Sequence, residues 1–165
     1  MLLPQFILNT VQPWSDLYAG STTISASVEF AHLAGLLFAG GFAMAFDRAA
    51  LRVSSSSVAQ RTNFLAELRA VHTPVLLGLA VVTLSGFALL FADLEALLPS
   101  TVFWLKMVAL LALLLNGIGI QRAGEKLRRD ALNVGTWRAL RRGSLFSITL
   151  WVLLVLLGVL LRNAA

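Results

Sequence analysis

The chain of 165 residues has no cysteine, two histidines, one tyrosine and four prolines. Without thiols there are no disulfides, no thiolate metal sites, no iron–sulfur clusters and no thiol catalysis. Two histidines do not complete a closed zinc site unless carboxylates help. Charge is scarce as well, at 13% of residues against about 25% in soluble domains. No phosphate-binding glycine loop and no Ser/His/Asp arrangement is present. Nothing basic precedes Arg48, so the positive start of a secretory signal is missing and the N-terminal segment is expected to stay in the mature protein.

What the chain has in abundance is apolar surface: 58% of its residues are hydrophobic and the mean hydropathy is +0.84. Neither an ordinary soluble enzyme nor a disordered chain keeps that much apolar surface satisfied in water. A helix needs about 20 apolar residues to cross about 30 Å of hydrocarbon. Segments at about 25–46, 71–92, 101–121 and 143–161 qualify. The fold class read from this pattern is all-α: one integral-membrane domain, an antiparallel four-helix bundle with short connections. Residues 1–24, interrupted by Pro4 and Pro13, are too short to span and are expected as an interfacial segment with Trp14 and Tyr18 at headgroup level.

The net charge of +5 and pI of 11.1 do not signal nucleic acid, because the bases do not form the face of a folded domain. Eleven of the thirteen Lys/Arg fall in two windows, Arg48 to Arg69 and Arg122 to Arg142. Such windows mark cytoplasmic loops. The partner is then a lipid bilayer, expected as a bacterial inner membrane crossed four times with both termini on the periplasmic or extracellular side. The turn from Ala92 to Ser100, with Asp93 and Glu95 and no base, agrees. The stretch 47–70 is expected as a cytoplasmic connection with Ser54–Ser57 as a turn or linker, and 122–142 as helical extensions of the third and fourth spans.

Ionisable groups inside a membrane are functional suspects. Here they are His32, Lys106 and Glu29, with Asp47 and His72 near the inner boundary. At 1.5 Å per residue, His32 lies about 10 Å and Lys106 about 8 Å below the outer surface, and His72 about 20 Å below His32. Matching depth favours His32 with Lys106. It also argues against a single haem clamped between His32 and His72, which would need an unwound helix or a second subunit. Gly35, Ala39 and Ala43 follow His32 along one stripe, small enough for a neighbouring helix or a flat ligand to approach closely. Asn116 adds an amide on the third span. Each residue has a plainer alternative. His32 can hydrogen-bond Glu29 or a neighbour's Ser/Thr, Lys106 can snorkel to the interface, and His72-Thr73-Pro74 reads as an interfacial helix start. Asp47-Arg48 reads as a solvated pair ending the first span, or Asp47 turns inward to orient His72. For copper, Met1, Met44 and Met107 are scattered, and only Met107 matches His32 in depth.

The run Val28-Glu29-Phe30-Ala31-His32-Leu33-Ala34-Gly35, continuing through Gly41 to Asp47-Arg48, resembles the first span of a group of bacterial four-helix membrane proteins. That group is similar, more distantly, to the copper-resistance D family and the membrane-bound protoporphyrinogen oxidase family. The likeness extends to Pro74, Thr83-Leu84-Ser85-Gly86-Phe87, Phe103-Trp104-Leu105-Lys106-Met107 and Asn116-Gly117. It implies a functional pair of His32 and Lys106 and binding of haem b. The oxidase's tyrosine- and histidine-containing stretch after the lysine is replaced by Leu115-Asn116-Gly117-Ile118, so the resemblance carries a cofactor but leaves enzymatic activity open. The expectation is a haem- or porphyrin-binding membrane protein, in electron transfer or porphyrin oxidation, with metal ligand His32, His72 as a less favoured second, and Lys106, Gly35, Ala39 and Asn116 around the ligand. The alternatives are a copper-handling or transport protein using His32, Glu29 and Met107, and a cofactor-free subunit of a homo-oligomer or larger membrane complex.

Overall fold

The computed structural model describes residues 5–53 and 57–164, except for the side chains of residues 58, 69–72 and 164. Met1, Pro4 and Ser54–Ser56 therefore lie outside the described residues. Those described form helices α1 (Gln5–Gly20), α2 (Thr22–Val53), α3 (Val58–Ala92), α4 (Leu94–Leu97), α5 (Thr101–Arg129) and α6 (Val134–Ala164), with no strand among them. Helices α2, α3, α5 and α6 are long and apolar enough to cross a membrane.

Local chemistry sets the breaks. The Asp93 carboxylate accepts from the Ala96 amide to start α4, and after Pro99 the Ser100 hydroxyl accepts from Phe103 to start α5. Asn133 accepts from the Thr136 amide at 2.9 Å to start α6. Each satisfies a donor that the first turn of a helix leaves free. Lys126, Arg128 and Arg129 fill the last turn of α5, where the helix dipole favours cations.

The long helices contain 29 to 35 residues, or about 44–52 Å at 1.5 Å per residue, well beyond about 30 Å of hydrocarbon. The excess falls at the end that carries the basic windows. The expected connection 47–70 is mostly helix, because α2 runs to Val53 and α3 begins at Val58. His72-Thr73-Pro74 is accordingly not a helix start. Pro74 lies inside α3, and the turns before it are held by Phe64 and Leu65, both buried in an apolar cluster.

Two hairpins, α2 with α3 and α5 with α6, are joined mainly through α2 against α6. Rising numbers on one helix meet falling numbers on the next: Gly35 faces Val82 and Gly78, Gly40 faces Trp151, and Gly143 faces Ile120. One apolar cluster, around Ala39, Ala109, Leu113, Trp151 and Leu154, fills the middle. A second, around Ala50, Phe64, Leu127, Trp137 and Leu140, fills the basic end. Outside them the helices present large apolar side chains, such as Leu37 at 76% and Leu84 at 72% exposure.

Helix α1 passes through Pro13 unbroken and docks on the far end of α3. The Trp14 indole donates to the Ala88 carbonyl and the Ser15 hydroxyl to that of Ala92, both at 2.8 Å. Ala92 is the last residue of α3, where intrahelical donors have run out, while the Ala88 carbonyl accepts the indole with its second lone pair. Trp14→Phe keeps the ring and removes one bond, a loss of about 1 kcal/mol. It is expected to speed amide hydrogen exchange within α1 but not within α6; unchanged exchange in α1 would mean the helix is held by something other than this contact.

Candidate functional site

At the end opposite the bases, five helices bring polar groups together. The α1–α2 corner contributes Tyr18, whose hydroxyl donates to Glu29 at 3.2 Å. Partial burial, and then the Glu29 charge, hold the Tyr18 phenol above its ordinary value, so it remains a donor at neutral pH. Arg162 of α6 reaches Glu29 at 4.0 Å with both side chains well exposed, an ion pair that adds little stability.

One turn further along α2, His32 Nδ1 lies 3.0 Å from Ser85 Oγ of α3. Ser85 has one proton, and its 2.6 Å approach to the Val81 carbonyl uses it. Nδ1 is therefore assigned as the N–H donor to Ser85, leaving the lone pair on Nε2. The ring edge rests on Gly86, where an added methyl would come within 3.4 Å of Cε1. Ser85 and Gly86 thus orient the imidazole, and they do so through the neighbour's hydroxyl rather than through Glu29. Lys106 of α5 is half-buried, with Nζ beside Gly158 of α6 and within electrostatic reach of His32. The two residues matched by depth do share one end of the molecule.

The remaining expected site residues are engaged in packing. Gly35 would meet Val82, Val81 and the Gly78 carbonyl at 3.0–3.2 Å if it carried a methyl, and Ala39 is fully buried against Gly78. Their stripe receives α3, which is the helix-packing alternative. The Asn116 amide donates to the Gly143 carbonyl at 2.9 Å and ties α5 to α6. The imidazole of His72 lies outside the described residues. No three His, Asp or Glu converge as metal ligands among the described residues. An open hollow of about 400 Å³ lies at the basic end, lined by Arg122, Lys126, Asn133 and Thr136 among others.

The structure corrects the reading of Asp47 as a solvated pair with Arg48. Asp47 is 4% exposed, because the last turns of α2 stay packed against α6 instead of fraying into water. Ser144 and Ser147 of α6, 0% and 5% exposed, lie beside its carboxylate. Ser144 Oγ nevertheless closes no hydrogen bond. Both serines escaped the sequence reading. The available signal was their spacing of three, which puts both on one face of an otherwise apolar helix.

Set against known proteins, the chain matches no family model, no curated protein and no solved structure.

Proposed function

We propose that this is an antiparallel four-helix protein of a bacterial inner membrane that binds haem b or a related porphyrin at the end opposite its bases. The basic windows lie in the cytoplasm and both termini on the other side, as the positive-inside rule requires. His32 would hold the iron through Nε2, and Lys106 would offer an ammonium to a propionate. One observation carries the reading: Ser85 holds Nδ1–H, so an intramembrane imidazole offers a fixed Nε2 lone pair near the one lysine at its level. The resemblance of its motifs to the protoporphyrinogen oxidase family points the same way. Gly35 and Ala39 are no part of the site in this form, since α3 covers them.

Haem, when bound, supplies one-electron chemistry. The chain's own contribution is to fix the ring and its tautomer through Ser85, to leave Gly86 bare beneath the imidazole, and to place one positive charge nearby.

The test is the absorption spectrum of detergent-purified protein beside His32→Ala. A Soret band in the wild type, lost in a variant that keeps its helical circular dichroism, is the expected result. Ser85→Ala should retain less haem than wild type, because the ring is then free to turn. A wild-type spectrum without the band rejects the porphyrin, and bound copper by elemental analysis would transfer the site to a copper-handling role. A second reading is a cofactor-free subunit of a larger membrane complex, whose interface would lie elsewhere than the Gly35–Ala39 stripe, since α3 covers it. It predicts neither chromophore nor metal.

A further inference from the structure

Between the two apolar clusters lies one polar layer. On α2 it is Asp47, between Ala39 of one cluster and Ala50 of the other; on α6 it is Ser144 and Ser147, between Leu140 and Leu150. All three are at least 95% buried. Asp47 forms no ion pair among the described residues, where the one salt bridge is Arg162–Glu29 at the other end. Adjacent Arg48 points outward and is exposed. The layer thus encloses a carboxylate with no counter-charge, facing two hydroxyls, of which Ser144 has no partner. Buried charges and buried hydroxyls are ordinarily partnered, so both departures at one spot mark a missing guest.

We propose that Asp47, Ser144 and Ser147 form a binding site for one dehydrated monovalent cation of the sodium class. The donors are all hard oxygens, which suit such a cation and offer no ligand to a soft metal. One carboxylate matches a single positive charge, leaving the layer neutral. A divalent ion would leave an uncompensated charge in the layer. A proton would neutralise Asp47 as well, its carboxyl donating to one serine and accepting from the other, so the dependence of stability on the cation is what separates the two occupants. The site lies about 22 Å from His32 along α2 at 1.5 Å per residue and is independent of the haem reading.

The experiment is thermal unfolding of the detergent-purified full chain in sodium, potassium and choline chloride at equal ionic strength, repeated across pH. Sodium, or potassium, is expected to raise the melting temperature saturably over choline, as a ligand of the folded state must. Ser144→Ala should raise the half-saturating concentration about tenfold for one lost ligand, and Asp47→Asn should abolish the effect. Identical melting in all three salts overturns the proposal, as does melting that follows pH and ignores the cation, which assigns a proton instead. Should Asp47→Asn fail to fold, equilibrium dialysis of the wild type with radioactive sodium decides: about one ion per chain, weakened in Ser144→Ala, supports the site, and no bound ion removes it.

Discussion

Gly78→Ala is expected to lower the stability of the protein by about 2–3 kcal/mol, at the upper end of the usual cost of overpacking a core. A methyl on Gly78 would lie 2.8 Å from the Ala39 methyl, 2.9 Å from its backbone nitrogen and 3.1 Å from its Cα. Two of those three atoms are backbone, so no rotamer change makes room and α2 and α3 must separate. That separation would also loosen the neighbouring contact between Gly35 and Val82 and draw Ser85 away from His32. Gly124 differs, because its near neighbour is the flexible tip of Leu68, and Gly124→Ala should cost far less. Gly41 has nothing within 4 Å, so Gly41→Ala should gain up to about 1 kcal/mol from helix propensity. Thermal or denaturant melts of the three variants in one detergent check the order. Equal stability of Gly78→Ala and Gly41→Ala would falsify the α2–α3 register.

Trp137→Ala should be more costly still, at about 3–5 kcal/mol for an aromatic core residue. The side chain is 3% exposed and closes the cluster at the basic end. Its indole donates to the Ala131 carbonyl at 2.9 Å, which anchors the turn between α5 and α6. Its ring lies 6.3 Å from that of Phe64, itself stacked on Phe46 at 4.5 Å, and the Arg61 guanidinium sits 5.2 Å from its centre. These contacts link α2, α3 and α6 beyond their most apolar stretches. Trp137→Phe should recover most of the loss, leaving about 1 kcal/mol for the missing hydrogen bond. Tryptic cleavage in the 122–142 region is the sensitive measurement, since bases there become accessible once α5 and α6 part. A Trp137→Ala protein that resists trypsin as the wild type does would show that the basic end is held otherwise.

The four long helices were legible because their signal is additive. Each apolar residue between 101 and 121, or between 143 and 161, adds to the same conclusion whatever its neighbours do, and the bases from Arg122 to Arg142 fix where both stretches stop. That His32 and Lys106 lie toward the same end of the molecule was legible for the same reason, being a count of residues along two helices. Ser85 as the partner of His32 was not. It lies 53 positions away, and several other hydroxyls in the chain were equally eligible. Asp47 was misread because an acid beside an arginine, at the end of an apolar run, looks the same in sequence whether its helix ends there or continues for another turn and a half.

The sequence by itself determined a helical chain with four long apolar segments, a basic end and a sparse set of ionisable groups at the other, since hydropathy and charge belong to each residue singly. Only the tertiary structure decided that α3, and not a flat ligand, covers Gly35 and Ala39, that Ser85 fixes the His32 tautomer, and that Asp47 looks inward at Ser144. Those outcomes depend on how each helix is rotated and shifted against another. Rotation and register are properties of pairs of helices, set by the fit of glycine against methyl and indole across the interface.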